Sequence, residues 1–151
     1  MIKIICVGKI KEKFYRDAIE EYLKRLSKYS KIQILEVDDV DNSNPEVSKS
    51  KEKDLILKHI NLKDYIIILE IEGDKYSSLE LSTKIDKILS INPNITFIIG
   101  GSNGLDPEIK KISNMKLSFS DLTFPHQLFR IMLLEQIYRS FKILNNETYH
   151  K

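Results

Sequence analysis

The chain has 151 residues, a length that predicts one domain spanning residues 1–151 with a hydrophobic core of its own. Hydrophobic residues at 42% and charged residues at 30% are typical of a globular protein and exclude a disordered or fibrous one. The single cysteine, Cys6, excludes a disulfide framework. No signal peptide and no apolar run of ~20 residues is found, so we expect a cytoplasmic protein outside membranes. We predict no metal site.

The net charge of +2 is unevenly distributed along the sequence. Between Lys9 and Lys31, eight basic residues stand against four acidic ones, a local charge of +4, whereas residues 36–46 hold five acids and no base. A basic first helix beside an acidic loop is suited to steering RNA onto one face. A solvated helix face explains the same charges, and charge alone favours that simpler explanation.

Strand-like and helix-like hydrophobic patterns alternate through the first half of the chain. Lys3 to Val7 is a short apolar run that ends at Gly8, as in a strand covered on both faces. Apolar residues from Phe14 to Leu26 recur at steps of three and four and predict a helix. Ile32 to Val37 reads as a second strand, and Asn44-Pro45 begins a helix to about His59. The apolar residues expected to be buried by that helix are Val47, Leu55, Ile56 and Ile60.

The second half continues the alternation. Tyr65 to Ile71 is the strongest strand signal, and Gly73-Asp74 is expected to end it. The remaining predicted elements are a helix that begins at the capping box of Ser77 and Glu80 and continues through Leu89, a strand at Ile95 to Ile99, a helix after Asp106-Pro107 through Ile112, a strand at Lys116 to Phe119, and a helix from Pro125 to about Leu144. This order predicts an α/β fold with a mostly parallel sheet flanked by helices.

Two polar loops follow the last two predicted strands. Gly100-Gly101-Ser102-Asn103-Gly104 has the glycines that permit positive φ and close approach of a ligand to the backbone. Its spacing matches neither a dinucleotide fingerprint nor a P-loop. The second loop, Phe119 to Phe124, would supply polar backbone groups and an apolar wall to a shared pocket. The alternatives are an ordinary turn for the first loop and, for Ser120, Asp121 and Thr123, capping of the final helix.

The final predicted helix is apolar on nearly all sides, which indicates burial on more than one face. A second copy of the chain is the expected cover for its outer face, and the alternative is a central helix wrapped by its own domain. Arg130 and Arg139 interrupt this helix as candidates for an interface ion pair or an active-site cation. His126 lies at the helix N-terminus, where the positive helix end disfavours its charged form.

Several of these segments, taken together, resemble one family of RNA-modifying enzymes. They are the loop Gly100 to Gly104, the stretch Leu117 to His126, the helix residues Arg130, Glu135, Tyr138 and Arg139, the terminal Tyr149-His150-Lys151, and the earlier Ile4 to Lys9 and Leu69 to Gly73. The pattern spans the chain and resembles the RlmH family, the large-subunit ribosomal RNA pseudouridine N3-methyltransferases of the SPOUT superfamily. Glu70 departs from it, because many relatives have Asp there.

The resemblance implies a SPOUT-type α/β fold with a C-terminal trefoil knot and an obligate homodimer. It also implies S-adenosyl-L-methionine as the methyl donor and a pseudouridine in ribosomal RNA, at the ribosomal subunit interface, as the target. The cofactor contacts it implies are Leu69, Gly100 and the six residues Phe119, Ser120, Asp121, Leu122, Thr123 and Phe124.

The resemblance also suggests roles for the C-terminal residues. His150 is the candidate base or proton relay, Tyr149 would stack on or hydrogen-bond the target base, and Arg139 and Lys151 would stabilise anionic oxygens or bind phosphate. The dimer surface, with Lys24, Arg25 and Lys28 of the basic helix, is expected to bind RNA, and the assembled ribosome to be the substrate. The alternatives are another SPOUT methyltransferase acting on tRNA or on unmodified uridine, and an RNA-binding protein without catalysis.

Overall fold

The computed structural model describes all 151 residues, in which five strands alternate with five helices. The strands are β1 (Ile2–Val7), β2 (Ile32–Val37), β3 (Tyr65–Lys75), β4 (Ile95–Ile99) and β5 (Met115–Ser118). The helices are α1 (Lys13–Leu26), α2 (Pro45–Leu57), α3 (Ser78–Ile91), α4 (Pro107–Ile112) and α5 (His126–Leu144). The strands form one sheet in the order β2-β1-β4-β3-β5, and every pair is parallel. The predicted parallel α/β architecture is confirmed.

The sheet is buried on both faces, which explains the unbroken apolar runs of its strands. On one face a core forms with α1, α3 and α5, to which Ile19, Ile85 and Ile137 contribute. On the other face a smaller core forms with α2 and α4, through Ile56 and Ile109. None of the helices has the length and hydropathy that crossing a membrane requires.

Cys6 belongs to the larger core, as its place in the first apolar run predicts. Burial raises the pKa of its thiol to about 12, partly offset by the nearby Arg130. A thiol that stays protonated is a poor nucleophile, so Cys6 acts as a packing residue.

Strand β3 is longer than its sequence predicts, because Gly73-Asp74 does not end it. Leu69 pairs with Leu117 of β5, the chain then bulges outward, and Asp74 pairs with the same Leu117. A Cβ atom on Gly73 would lie 2.8 Å from the carbonyl carbon and oxygen of Lys116. Only glycine therefore lets the bulge close against β5, and the bulge places Glu70 beside the carboxyl ends of β4 and β5.

Helix α2 differs from prediction in what it buries. Its N-cap is Asn44, as predicted, but of the four apolar residues expected inside only Ile56 is buried. Ser48 and Glu52 are buried instead. Glu52 is tolerated there because its carboxylate accepts a hydrogen bond from the Val40 backbone N–H at 3.0 Å.

Candidate active site

A cleft of about 290 Å³ opens at the carboxyl ends of β3, β4 and β5. Because all the strands are parallel, the loops that leave them meet at this one edge of the sheet. The two loops that the sequence singled out, residues 100–104 and 119–124, form its opposing walls. The polar, turn-forming loops identified from the sequence therefore converge on one site.

Most residues predicted to contact the cofactor line this cleft. They are Leu69, Gly100, Phe119, Ser120, Leu122, Thr123 and Phe124. Asp121 does not line it, because its carboxylate forms an ion pair with Lys75 at the end of β3. That pair ties the 119–124 loop to the longer strand.

The glycines of the loop 100–104 allow it to pack closely against neighbouring segments. Residues 101–104 form a turn in which the Gly104 N–H donates to the Gly101 carbonyl at 3.0 Å. Only Gly104 has a positive φ, of 82°. A Cβ atom at Gly100 would lie 3.0 Å from the Gly104 carbonyl, and one at Gly101 would lie 3.0 Å from Val7 Cγ1. These two glycines let the loop pack against itself and against β1, and both line the cleft, so close approach of a ligand to their backbone stays a prediction.

The second loop is held by its own hydroxyl and by aromatic packing. Ser120 Oγ accepts the Leu122 N–H at 3.0 Å, and the rings of Phe119 and Phe129 are 4.8 Å apart. Leu122 is 69% exposed and gives the cleft an apolar rim. Pro125 is the N-cap of α5, and no side chain caps that helix. The alternative that Ser120, Asp121 and Thr123 are helix caps is therefore wrong.

Glu70 supplies a buried acceptor in the cleft wall. Its side chain is 15% exposed, and Lys110 Nζ of α4 lies 3.1 Å from its Oε2 atom. Apart from this ion pair, no group of the chain donates a hydrogen bond to the buried Oε2. Sequence reasoning noted Glu70 only as part of a motif, because its pairing with Lys110 depends on the bulge.

Arg130 is buried within the domain and is neither an interface residue nor a free cation. Its side chain is 2% exposed, and its Nη1 donates to Glu36 Oε2 at 2.5 Å. Its Nη2 donates to the Gly8 carbonyl at 3.2 Å. Arg130 therefore ties α5 to the ends of β1 and β2, which corrects both roles suggested from the sequence.

His126 lines the cleft at the start of α5. Burial lowers the pKa of its imidazole, Asp39 opposes this shift, and Arg130 adds to it. The predicted direction is correct, but burial is its main cause.

The C-terminal candidates form a second cluster, centred on Glu135. Glu135 Oε1 accepts hydrogen bonds from Tyr149 Oη at 2.8 Å and Arg139 Nη2 at 2.9 Å. Arg139 Nη1 lies 3.1 Å from His150 Nδ1, and the guanidinium stacks 4.7 Å above the Tyr149 ring. The pKa of Tyr149 is raised to about 12, first by burial and second by its hydrogen bond to Glu135. We call Glu135, Arg139, Tyr149 and His150 the tail cluster.

The tail cluster lies away from the cleft of its own chain. Arg139 follows Phe129, the last α5 residue that lines the cleft, by ten residues, which corresponds to about 15 Å along a helix axis. Within one chain, the structure thus keeps the predicted cofactor residues and the predicted catalytic residues apart.

The basic candidates on and after α1 lie beside the tail cluster. Arg25 is 5.9 Å from the ring of Tyr138, which packs against Tyr149, and is paired with Glu21 at 3.1 Å. Lys28 forms an ion pair with Glu147 at 3.2 Å. Lys24 and Lys151 are exposed and form no ion pair. Of Lys24, Arg25 and Lys28, only Lys24 is therefore without an ion pair.

Proteins of known family are similar to this chain over its whole length. A family model described as a predicted SPOUT methyltransferase matches residues 1–150. A protein of Caldicellulosiruptor saccharolyticus named Ribosomal RNA large subunit methyltransferase H is 49% identical over 154 residues, covering 100% of both chains. A protein of the same name from Clostridium botulinum is 52% identical over 157 residues, covering 99% of both.

Two solved structures share the fold at low sequence identity. A tRNA methyltransferase from Aquifex aeolicus superposes with a TM-score of 0.52 and 19% identity over 91% of this chain and 69% of its own. A probable methylase family protein from Haemophilus influenzae gives a TM-score of 0.56 and 13% identity over 99% and 70%. With the family model and the full-length relatives, this leads to one conclusion: the chain belongs to the SPOUT methyltransferase family and is built for transfer from a methyl donor.

Proposed function

We propose that the chain transfers the methyl group of S-adenosyl-L-methionine to N3 of a pseudouridine in large-subunit ribosomal RNA, on assembled ribosomes in the cytoplasm. The observation that carries this proposal is the cleft at the carboxyl edge of the sheet, walled by both predicted loops. Relatives that are about half identical over their full length and are named as ribosomal RNA methyltransferases support the substrate class. Residues 1–151 act as one domain, with the C-terminal trefoil knot of the family.

The residues in the cleft fit such a donor. Glu70 Oε2, whose partner in the chain is the Lys110 ammonium, would accept a further hydrogen bond from an ammonium or a ribose hydroxyl. Backbone groups of Gly100 and of residues 119–124 would bind the polar groups of S-adenosyl-L-methionine. Its apolar parts would pack against Leu69, Phe119, Leu122 and Phe124. The bound donor supplies an electrophilic methyl group on a sulfonium. The protein's part is to position the two reactants and stabilise charge.

The tail residues are proposed to act on the target ring. N3 of pseudouridine lies between two carbonyl groups, and losing its proton spreads negative charge onto their oxygens. Arg139 would supply positive charge, His150 an N–H group and Tyr149 its aromatic ring to bind such a ring, while Lys151 and the exposed Lys24 would bind phosphates. The target base must leave its stack to reach them.

A homodimer would bring the two groups of residues together. Leu128, Met132, Glu135 and Arg139 are spaced four, three and four residues apart, so they share one face of α5. Leu128 is 36% exposed and Met132 is partly exposed, which leaves an apolar patch between the cleft and the tail cluster. In a symmetric dimer, α5 helices that cross antiparallel at Met132 would place Arg139 of one subunit opposite Pro125 of the other. The tail of one copy would then complete the cleft of its partner.

Mixed dimers test this arrangement. In H150A the tail is defective and the cleft intact, whereas in T123W an indole fills the cleft and the tail is intact. Each variant alone should keep no more than about 1% of wild-type activity. After joint unfolding and refolding in equal amounts, half of the dimers are mixed and hold one complete site, so about a quarter of wild-type activity should return. If no activity returns although mixed dimers form, the tail does not act across subunits.

The reaction itself is tested with ribosomes and free ribosomal RNA as substrates. We expect S-adenosyl-L-methionine to bind by calorimetry and mass spectrometry of the RNA to locate one added methyl group on pseudouridine, with intact ribosomes the better substrate. Removing residues 149–151 should abolish turnover and leave donor binding largely intact. Donor binding without methylation of any RNA would contradict the proposed reaction, and the absence of donor binding would favour an RNA-binding protein without catalysis.

A further inference from the structure

The tail cluster contains a carboxylate to which no role has been given. Glu135 uses both oxygens: Oε1 accepts from Tyr149 and Arg139, and Oε2 accepts from Arg139 Nε at 3.3 Å. The pair with Arg139 is partly buried, with side-chain exposures of 19% for Glu135 and 25% for Arg139. Its two-pronged contact holds the guanidinium plane in one orientation.

That orientation determines the hydrogen-bonding state of His150. Arginine only donates hydrogen bonds in proteins, so in its 3.1 Å contact with Arg139 Nη1 the Nδ1 atom of His150 must be the acceptor. A neutral imidazole whose Nδ1 accepts carries its proton on Nε2. The contact at Nδ1 is the only hydrogen bond of this imidazole within the chain, which leaves the Nε2–H available to a ligand.

We infer that Glu135 is a positioning residue which, through Arg139, holds His150 as a neutral N–H donor, so that His150 donates to a carbonyl oxygen of the target ring and is not the base. This inference rests on the proposed function. It also revises the role suggested for His150 from the sequence, because a histidine whose Nε2 carries the proton and whose Nδ1 is occupied has no free lone pair to accept another.

The proposed step balances without a protein base. The N3–H bond breaks and its proton passes to water or hydroxide, while the ring's negative charge is spread over its two carbonyl oxygens. The N3 lone pair then forms the bond to the methyl carbon, and the electrons of the carbon–sulfur bond remain on sulfur. The Nε2–H of His150 and the charge of Arg139 stabilise the anionic ring. Tyr149 is no base either, because its hydroxyl donates to Glu135 and stays protonated.

Nitrogen-15 NMR of the imidazoles tests the tautomer without any turnover. The chain has three histidines, His59, His126 and His150, and the H150A spectrum identifies the signals of the last. We expect wild-type His150 to show an accepting Nδ1 and a protonated Nε2, and E135Q to show a mixture of tautomers. E147Q is the matched control, because Glu147 also holds the tail, through Tyr29 and Lys142, but does not contact Arg139. A protonated Nδ1 in the wild type, or the same mixture in E147Q, would overturn the inference.

Substitution of His150 separates a donor from a base. Glutamine places an amide N–H near the position of Nε2 and cannot accept a proton at neutral pH. We expect H150A to lower kcat by about 10²-fold, as for loss of one hydrogen-bond donor to a developing oxyanion, and H150Q to recover about tenfold of that loss. The affinity for S-adenosyl-L-methionine should be unchanged in both variants. Equal kcat values for H150Q and H150A would overturn the role of His150 as a hydrogen-bond donor. If the wild-type protein methylated no RNA, the proposed function would be contradicted. The NMR result on the tautomer of His150 does not depend on methylation, so the two failures are distinguishable.

Discussion

Removing the charge of Glu36 should destabilise the protein much more than removing that of its partner Arg130. The two side chains form one ion pair but differ in burial, because Arg130 is 2% exposed and Glu36 is 34% exposed. The Nε atom of Arg130 already lacks an acceptor. In E36Q the guanidinium would remain buried with no counter-charge, and only neutral oxygens, those of the Gly8 carbonyl and of the new amide, would face it.

The burial of the two partners sets the expected magnitudes. Leaving a buried charge unpaired costs about 3–5 kcal/mol, which we expect for E36Q. In R130M the carboxylate that remains is one-third exposed and can be hydrated, and it still accepts the Ile10 N–H at 3.0 Å. The loss is then mainly that of the hydrogen bonds, about 1–2 kcal/mol. For a chain of this size, each kcal/mol lowers the melting temperature by about 2–4 °C.

Urea unfolding at pH 7 and constant protein concentration measures these differences. We expect the free energy of unfolding to fall in the order wild type, R130M, E36Q, and the double variant E36Q/R130M to lie close to R130M because it leaves no buried charge. If R130M were as unstable as E36Q, or if the two losses simply added in the double variant, the account of Arg130 as a buried cation that depends on Glu36 would be wrong.

Three further predictions concern the bulge, the tail and the basic helix. G73A should lower the free energy of unfolding in urea by about 1–3 kcal/mol, because its Cβ would overlap the Lys116 backbone. The control I71S, on the exposed side of the bulge, should change it by less than about 0.5 kcal/mol. Equal effects of the two substitutions would contradict the close approach of Gly73 to Lys116. Hydrogen bonds from Tyr29 and Lys142 lower the pKa of Glu147 from 4.5 to about 2. As the pH falls, the Glu147 carboxylate is therefore protonated in the unfolded chain before it is protonated in the folded one. The stability that Glu147 contributes is complete above pH 4.5 and is lost as the pH falls towards 2. The difference in unfolding midpoint between wild type and E147Q should therefore shrink over that range, and a constant difference would refute the role of the charge. K24E should weaken ribosome binding, and the slope of log affinity against log salt concentration should become smaller in magnitude by about 1. The control E20Q, on the same helix, should leave that slope unchanged. An unaltered slope in K24E would show that Lys24 is solvated and does not contact RNA.

Much of the fold was predictable because hydrophobic periodicity is a local property of the sequence. The run from Ile95 to Ile99 is buried throughout, and a strand is the element of that length which a sheet covered on both faces requires. The capping box at Ser77 and Glu80 was likewise readable, because both hydrogen bonds connect residues three positions apart. The second half of β3 was not, since Gly73 there serves a contact with a strand about 40 residues later.

The candidate site divides in the same way. That both loops belong to one cleft follows from their places after parallel strands, so residues 100–104 and 119–124 were identified correctly as a pair. The partners of the charged residues were not predictable, because Lys110 meets Glu70, and Arg130 meets Glu36, only after distant segments pack. Conversely, Glu135 and Arg139 are four residues apart on one helix, but the sequence does not show that the tail folds back onto them.

By itself, the sequence determined the alternation of strands and helices, the parallel sheet and the loops that line its carboxyl edge, because backbone geometry and apolar spacing act over a few residues. Only the tertiary structure decided that Arg130 is buried and joins α5 to β1 and β2, that Gly73 closes a bulge, and that Arg139 of the tail cluster lies about 15 Å along α5 from the cleft of its own chain. These depend on which distant side chains satisfy a buried charge or fill a gap, and that choice is made by packing in three dimensions.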